Sequence, residues 1–236
     1  MSLYARLRAG LLRCLTRLPI LPRVLHPFPS ASVEPTLLVI VEGPHGVQFL
    51  KRISAMLHVA EPRLPDLGAM ERRGELIFVP LGGADLKLWT HRLARLAKPE
   101  FHLYDREVPP QTELRQQMAE IVNLRPGCRA ALTSKRNLEN YLHPAAIREV
   151  SGIELQFGDD DLVADLIARR VYAQQNPTTA WEDLPRQTRT RRRNRVKHWL
   201  NTTAADRMSP ERLAERDPAG EVRSWLRTMA AQAASR

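Results

Sequence analysis

Cysteine is scarce in this sequence, and its scarcity excludes two classes of protein. The 236 residues include 2 cysteines, Cys14 and Cys128, which lie far apart and form no CxxC pair. Disulfide-stapled scaffolds and structural zinc sites both need several closely spaced cysteines, so neither is expected here. The usage fits a reducing compartment, and Cys128 is predicted to be a small buried apolar residue.

Long apolar segments are also missing. A transmembrane helix needs roughly 20 consecutive, mostly apolar residues. In the leucine-rich residues 1–29, an arginine interrupts the apolar positions every few residues. That pattern is neither a membrane span nor the apolar core of a secretory signal. We therefore predict a soluble cytoplasmic protein.

Acidic residues are absent from the first 33 positions, since the first one is Glu34. The alternation of Arg and Leu there is typical of a basic amphipathic helix, and four prolines between positions 19 and 29 indicate a linker. We predict that residues 1–33 form this helix and linker. The alternatives left open for the helix are a membrane surface, nucleic acid, a transit peptide and packing onto the main domain.

Positive charge is in excess over the whole chain. Lys and Arg number 36 against 26 Asp and Glu, which gives a formal net charge of +10. Such an excess favours a polyanionic partner, namely DNA, RNA or an anionic lipid surface. Arginine greatly outnumbers lysine, so the compositional bias of an arginine-rich proteome is the alternative explanation.

Short apolar strands alternate with helical patterns through residues 34–150. The predicted strands are 37–41, 76–81, 101–104 and 128–132, and the predicted helices are 46–57, 84–97, 111–123 and 138–150. This alternation predicts an α/β domain in which helices flank a parallel sheet. Residues 151–236 are predicted to form a helical C-terminal region that contains a strongly basic segment.

Polar residues follow several of these strands where each strand ends. Glu42 follows the first strand, Asp105 and Glu107 follow the third, and Ser134 and Lys135 follow the fourth. Ligands of parallel α/β sheets bind beyond the carboxyl ends of the strands, so we expect these residues to converge. Carboxylates without Cys or His partners favour Mg²⁺ or Mn²⁺, ions that can clamp the oxygens of a phosphodiester displacement.

Four segments carry a resemblance to a known family. Residues 37–44 resemble the opening motif of the Toprim domain, a strand that ends in Glu-Gly, and 104–107 resemble its second, acidic motif. Residues 78–83 and 134–142 resemble the second-strand segment and the Glu-Asn-Tyr-Leu stretch of OLD-family (overcoming lysogenization defect) Toprim nucleases. The likeness covers about residues 36–147 and implies a Toprim-like, Rossmann-like parallel sheet.

The resemblance also implies roles for single residues. Glu42 would be the first-motif carboxylate, as metal ligand or general base. Asp105 would be the main ligand for Mg²⁺ or Mn²⁺, with Glu107 as its partner. Glu139 would be an added carboxylate of the OLD type, and Lys197 is our candidate for the lysine that completes the catalytic centre.

The sequence departs from the family pattern in three respects. The OLD-type first motif usually has a second acidic residue about four positions after the Glu, and here that position is Gly46. The second motif is Asp105-x-Glu107 instead of the common Asp-x-Asp. OLD nucleases carry an ATPase domain, but no GxxxxGK[ST] loop occurs here, so a separate ATPase partner is considered.

A basic segment near the C-terminus is the candidate nucleic-acid contact. We predict that phosphates bind to Arg189, Arg191, Arg192, Arg193, Arg195 and Lys197. A solvated basic helix face is the alternative. The acidic cluster Asp159–Asp161 with Asp165 is interpreted as the negatively charged N-terminus of a helix.

These observations predict a metal-dependent endonuclease that cleaves nucleic acid, with DNA as the expected substrate. The first alternative is a catalytically degenerate Toprim-like protein that binds nucleic acid or has a regulatory role. The second is an unrelated α/β protein with a small-molecule site at the same edge. Glu42 could instead cap the following helix, Glu139 could lie on a solvated helix face, and His45 could be a loop residue. The oligomeric state is left open.

Overall fold

A four-stranded parallel sheet lies at the centre of the protein in the computed structural model, which describes residues 35–82 and 86–234. The strand order is β2-β1-β3-β4. The strands are β1 (Leu37–Val41), β2 (Leu76–Pro80), β3 (Glu100–Tyr104) and β4 (Cys128–Leu132). Every neighbouring pair is parallel, and Val39 of β1 is paired with Phe78 on one side and Phe101 on the other. The predicted parallel α/β fold is confirmed.

The two inner strands are buried along their whole length, which explains their composition. All five residues of β1 and all five of β3 are buried. An inner strand of a parallel sheet is covered on both faces, so it is expected to be a continuous apolar run, as β1 is. Cys128 at the start of β4 is buried, as predicted.

Helices cover both faces of the sheet. They are α1 (Pro44–Ala60), α2 (Leu67–Arg72), α3 (Leu86–Arg92), α4 (Gln111–Asn123), α5 (Pro144–Ser151), α6 (Val163–Gln175), α7 (Arg186–Trp199), α8 (Pro210–Arg216) and α9 (Glu221–Ala234). Because proline is suited to the first helical turn, α1 begins at Pro44, two residues before the predicted start.

Two predicted helices need correction. The helix predicted over 84–97 ends at Arg92, and a 3-10 turn, Ala94–Leu96, leads to a left-handed Ala97. Pro99 disfavours helical geometry at the residue before it, so the chain leaves the helix before β3. The helix predicted over 138–150 divides into a 3-10 turn, Leu138–Tyr141, and α5, with Pro144 opening α5.

The C-terminal helices complete the main hydrophobic core. Trp225, Leu226 and Met229 of α9 are buried in the same cluster as Val39 of β1 and Phe49 of α1. The apolar face of the last helix therefore packs inward. All described residues belong to one compact unit.

The other face of the sheet holds a buried polar group beneath α3. Nε2 of His102 lies 2.7 Å from Oε2 of Glu100, and its Nδ1 lies 2.7 Å from the hydroxyl of Tyr104. The guanidinium of Arg125 pairs with the same Glu100 carboxylate and donates to the Thr90 carbonyl. Burial lowers the pKa of His102 against the opposing pull of Glu100. This group links the sheet to α3.

The predicted helix and linker over residues 1–33 lie outside the described residues, as do residues 83–85. No helix within 35–82 or 86–234 is long and apolar enough to cross a membrane.

Candidate metal centre

A pocket of about 420 Å³ opens at the carboxyl edge of the sheet. Its lining includes all five residues predicted as metal ligands or catalytic groups, namely Glu42, Asp105, Glu107, Glu139 and Lys197. They come from the end of β1, the end of β3, the 3-10 turn after β4, and α7. Parallel strands place their ends at one edge, and the C-terminal helices bring the last residue there.

Glu42 is held by an arginine from the neighbouring helix. Nε and Nη2 of Arg115 donate to the two carboxylate oxygens of Glu42 at 2.8 and 3.0 Å, and the Asp105 amide donates to Oε1 at 3.1 Å. Gln111 accepts from Nη1 of Arg115 at 3.1 Å. Glu42 does not cap α1. The N-cap residue of that helix is Gly43, and no side chain caps the helix there.

Arg115 is not among the site residues that the sequence predicted, although the sequence carries a signal for it. Arg115 shares the buried face of α4 with Met118, Ala119 and Val122. An arginine on the buried face of an amphipathic helix needs a partner, since a buried charge without a partner is energetically costly. The identity of that partner could not be read from the periodicity.

Asp105 is surrounded by neutral donors. Its Oδ1 accepts from the Leu138 amide, and its Oδ2 from Nδ2 of Asn137, both at 3.2 Å. Burial, followed by the negative charges of Glu42 and Glu139, raises the pKa of Asp105 to about 8, although Lys197 opposes this shift. Within the described residues Asp105 forms no ion pair, so its charge would be stabilised by an added cation.

Glu107 follows on a constrained loop. Its φ is 57°, a left-handed conformation that is uncommon for a residue with a side chain. Its amide donates to the Arg136 carbonyl at 2.9 Å, and its Oε1 accepts from Asn137 at 3.0 Å. The Asn137 amide group thus contacts both carboxylates of the second motif.

Glu139 is buried and pairs with the C-terminal region. Its Oε1 accepts from Nδ2 of Asn201 at 2.7 Å, and its Oε2 lies 3.9 Å from Nζ of Lys197. Glu139 is the largest contributor to a raised pKa at Lys197, so the lysine remains charged. The alternative of a solvated face for Glu139 is excluded, because its side chain is 5% exposed.

Asn201 reaches Glu139 from a π-helical segment, Leu200–Ala204, directly after α7. Such π-helical insertions change the direction of a side chain within a helix and are frequent at functional sites. Asn201 is a second contributor that the periodicity of the sequence did not indicate.

Gly46, the position at which OLD-type sequences usually have a second acidic residue, lines the pocket. A Cβ atom on Gly46 would meet Cβ of Val41 at 3.3 Å and Cδ1 of Leu138 at 3.5 Å, so α1 packs tightly on β1 here. His45 also lines the pocket, and burial lowers its pKa. Its ring lies 6.1 Å from that of His198.

Ser134 and Lys135, which follow β4, were predicted to converge with the carboxylates of the site. That prediction was wrong, because both side chains lie elsewhere. Ser134 Oγ donates to Glu221 at 2.6 Å, and Nζ of Lys135 lies 2.6 Å from Asp159. Neither lines the pocket. The chain turns away after β4, because Oγ1 of Thr133 donates to the Lys135 carbonyl at 2.6 Å, and Asn137 approaches Asp105 instead.

The acidic cluster is only in part the helix N-terminus that the sequence predicted. Helix α6 begins at Val163, and of the four aspartates only Asp165 lies in its first turn. Asp159 pairs with Lys135, and Asp160 pairs with Arg106. The turn before α6 therefore neutralises nearby basic residues and does not begin a helix.

The predicted nucleic-acid residues all belong to α7, but their surroundings differ. Arg192 stacks over the ring of Tyr172 at 5.0 Å, and Nε of Arg193 lies 3.6 Å from Asp165. Arg189, Arg191 and Arg195 form no ion pair within the described part of the chain, and the last two are exposed. Arg191 lies one turn before Asn194, which lines the pocket together with Lys197.

The donor chemistry of the pocket suits a hard divalent cation. Among residues 35–82 and 86–234, no group of three or more His, Cys, Asp or Glu side chains has an arrangement that could hold a metal ion. Magnesium, however, often binds through one or two carboxylates and completes its shell with water and substrate phosphate. Asp105, with Glu107 and Glu139 beside it, fits that requirement.

The comparisons with known proteins give a distant structural likeness. No protein-family model matches the chain, and no curated protein sequence matches it. The fold is similar to the C-terminal region of the Xanthomonas campestris pv. campestris OLD protein. In the platinum-phased structure the identity is 15% over 85% of this chain and 94% of that chain, with a TM-score of 0.45. In the mercury-phased structure it is 13% over 85% and 97%, with a TM-score of 0.44.

Proposed function

We propose that the protein is a metal-dependent phosphodiesterase that cleaves nucleic acid, with DNA as the expected substrate. One observation carries this proposal. Carboxylates from two strand ends and a 3-10 turn line one pocket together with Lys197 from a basic helix. Acidic ligands for a divalent cation next to fixed positive charge are the combination that phosphodiester cleavage needs.

Asp105 would be the principal ligand for Mg²⁺ or Mn²⁺, with Glu107 and Glu139 as neighbours. Glu42, the remaining ligand that the sequence predicts, is paired with Arg115. When bound, the cation would supply Lewis-acid polarisation of a phosphoryl oxygen. The chain positions its own groups for this purpose. Asn137 orients Asp105 and Glu107 through its amide, and Asn201 orients Glu139.

Lys197 would stabilise negative charge that develops on the phosphate. Its ammonium lies 3.9 Å from Glu139, a separation that leaves its hydrogens available to a substrate oxygen. The raised pKa keeps the ammonium protonated at neutral pH. Along the same helix, Arg191 and Arg195 are exposed and would hold the backbone of the substrate through salt-sensitive contacts.

Plasmid cleavage tests this proposal. Supercoiled DNA is incubated with the full chain and Mg²⁺ or Mn²⁺, in parallel with Asp105→Ala and a chelator. We expect nicking or linearisation that disappears in both controls. Glu113→Ala is the matched variant, because Glu113 is an exposed carboxylate on α4 outside the pocket, and it should retain activity. Equal cleavage by Asp105→Ala would contradict the proposal.

A second candidate is a nucleic-acid-binding protein without cleavage activity. The bidentate pairing of Glu42 with Arg115 favours it, because this carboxylate is already neutralised. Gly46 has no acidic side chain to replace it. A binding protein should retain DNA equally well in chelator and in Mg²⁺, and it should show no cleavage product. The domain bounds remain a prediction. A separate ATPase partner also remains a prediction, and co-purification of such a protein with this chain would test it.

A further inference from the structure

Four carboxylates line the pocket, and they differ in whether a cation already neutralises them. Three have an ion-pair partner: Glu42 with Arg115 at 2.8 Å, Glu107 with Arg136 at 3.4 Å, and Glu139 with Lys197 at 3.9 Å. The fourth, Asp105, accepts only from the neutral donors Asn137 and Leu138 within the described residues. Asp105 is therefore the one carboxylate of this set that has no cationic partner among the described residues.

The three pairs are not equivalent. Arg115 donates to both carboxylate oxygens of Glu42, and the side chain of Arg115 is 10% exposed. Gln111 accepts a hydrogen bond from Nη1 of the same guanidinium and so fixes its orientation. Bidentate arginine–carboxylate pairs with buried partners are among the strongest side-chain contacts. The contacts of Glu107 and Glu139 with their cations are single and long, so those carboxylates keep oxygens that can bind a metal.

We infer that the ion pair with Arg115 prevents Glu42 from binding a metal ion. The centre would therefore hold one divalent cation, bound at Asp105. This inference rests on the proposed function. A second divalent cation would add positive charge beside the fixed guanidinium, and repulsion at this range in a partly buried pocket is large. Gly46 strengthens the inference, since the wall beside Glu42 supplies no additional carboxylate.

Arg115 is thus a positioning residue, and its test measures metal binding directly. Mn²⁺ is titrated into the full chain by calorimetry, and bound ion is counted by electron paramagnetic resonance. We expect one Mn²⁺ per wild-type chain. Arg115→Gln should admit a second Mn²⁺ or tighten binding by roughly tenfold or more, because Glu42 becomes available. Arg115→Lys keeps the charge and should retain the wild-type count.

Two further variants separate this role from a structural one. Glu42→Gln with Arg115→Gln removes the freed carboxylate and should restore one Mn²⁺. Arg125→Gln breaks another Arg–Glu pair with a buried carboxylate, that of Glu100, away from the pocket, and should not alter the count.

Each remaining outcome is decisive. Two ions in the wild type, or an Arg115→Gln titration like that of the wild type, would overturn the inference while leaving metal-dependent cleavage intact. Absence of Mn²⁺ binding in the wild type would overturn the inference and the proposed function together. If Arg115→Gln does not fold, Glu42→Gln alone decides. An unchanged Mn²⁺ count and affinity would support the inference, and a weakened or lost ion would overturn it, because Glu42 would then be a ligand.

Discussion

The side-chain amide of Asn137 donates to Oδ2 of Asp105 at 3.2 Å, and the same nitrogen lies 3.0 Å from Oε1 of Glu107. One neutral group therefore holds together two carboxylates that would otherwise repel each other. Asn137 is 2% exposed, and its backbone amide is fixed by Oδ1 of Asn140. It therefore supports the two carboxylates from a buried position next to the pocket lining.

Replacing Asn137 should weaken metal binding. In Asn137→Ala the two carboxylates lose their common donor, so they spread apart and the site is no longer preorganised. We expect Mn²⁺ affinity and cleavage to fall by roughly 10–100-fold, the usual cost of losing an outer-shell partner. Calorimetric titration measures the affinity. Asn176→Ala, at the end of α6 and outside the pocket, is the control. An unchanged affinity in Asn137→Ala would refute this role.

The raised pKa of Asp105 predicts a pH-dependent stability in the absence of metal. The pKa of about 8 means that the folded state keeps the proton up to about pH 8, whereas an aspartate ordinarily loses it near pH 3.8. Ionised Asp105 thus disfavours the folded state, and its contribution to stability falls as pH rises from about 4 to 8. We expect Asp105→Asn to gain stability relative to the wild type over that range, by at least about 1 kcal/mol.

Urea unfolding in chelator at pH 5 and pH 8 measures this difference. Other groups titrate as well, so the informative quantity is the change in the wild-type-to-variant difference between the two pH values. Glu113→Gln is the control and should give no such change. A constant difference for Asp105→Asn would mean that the carboxyl ionises normally in the folded protein.

Divalent cations should stabilise the wild type by binding at Asp105. A ligand at 100 times its dissociation constant stabilises the folded state by about 2.7 kcal/mol. For a chain of this size that corresponds to a rise in Tm of roughly 5–10 °C. Thermal unfolding with and without Mg²⁺ or Mn²⁺ measures it. Asp105→Asn should show no rise, and an equal rise in both proteins would place the cation elsewhere.

The arginines of α7 should contribute unequally to nucleic-acid binding. Arg191 and Arg195 are exposed, and within the described residues they form no ion pair, whereas Arg192 stacks on Tyr172. We expect Arg191→Ala and Arg195→Ala each to reduce the slope of log K against log salt by about 1, uniformly across sequences. Arg192→Ala should reduce it less. Fluorescence anisotropy over a salt series distinguishes these outcomes, and equal slopes would contradict the assignment.

Much of the architecture follows from local pattern. The apolar run of β1 and the helical spacing of α4 predicted their elements, the latter with its observed bounds, Gln111–Asn123. The parallel alternation then placed Glu42 and Asp105 at the same edge. These features depend on hydrophobic periods of a few residues, which are present in the sequence itself.

The partners of the pocket residues depended on packing alone. Arg115 reaches Glu42 across 73 positions of sequence, and Asn201 reaches Glu139 across 62. The position of a helix on the sheet, and the direction in which its side chains point, decide whether a carboxylate is neutralised and by which cation. The sequence by itself determined the strands and the residues at their ends. Only the tertiary structure decided that Asp105 is the carboxylate without a cation, because charge pairing between distant segments has no local signature.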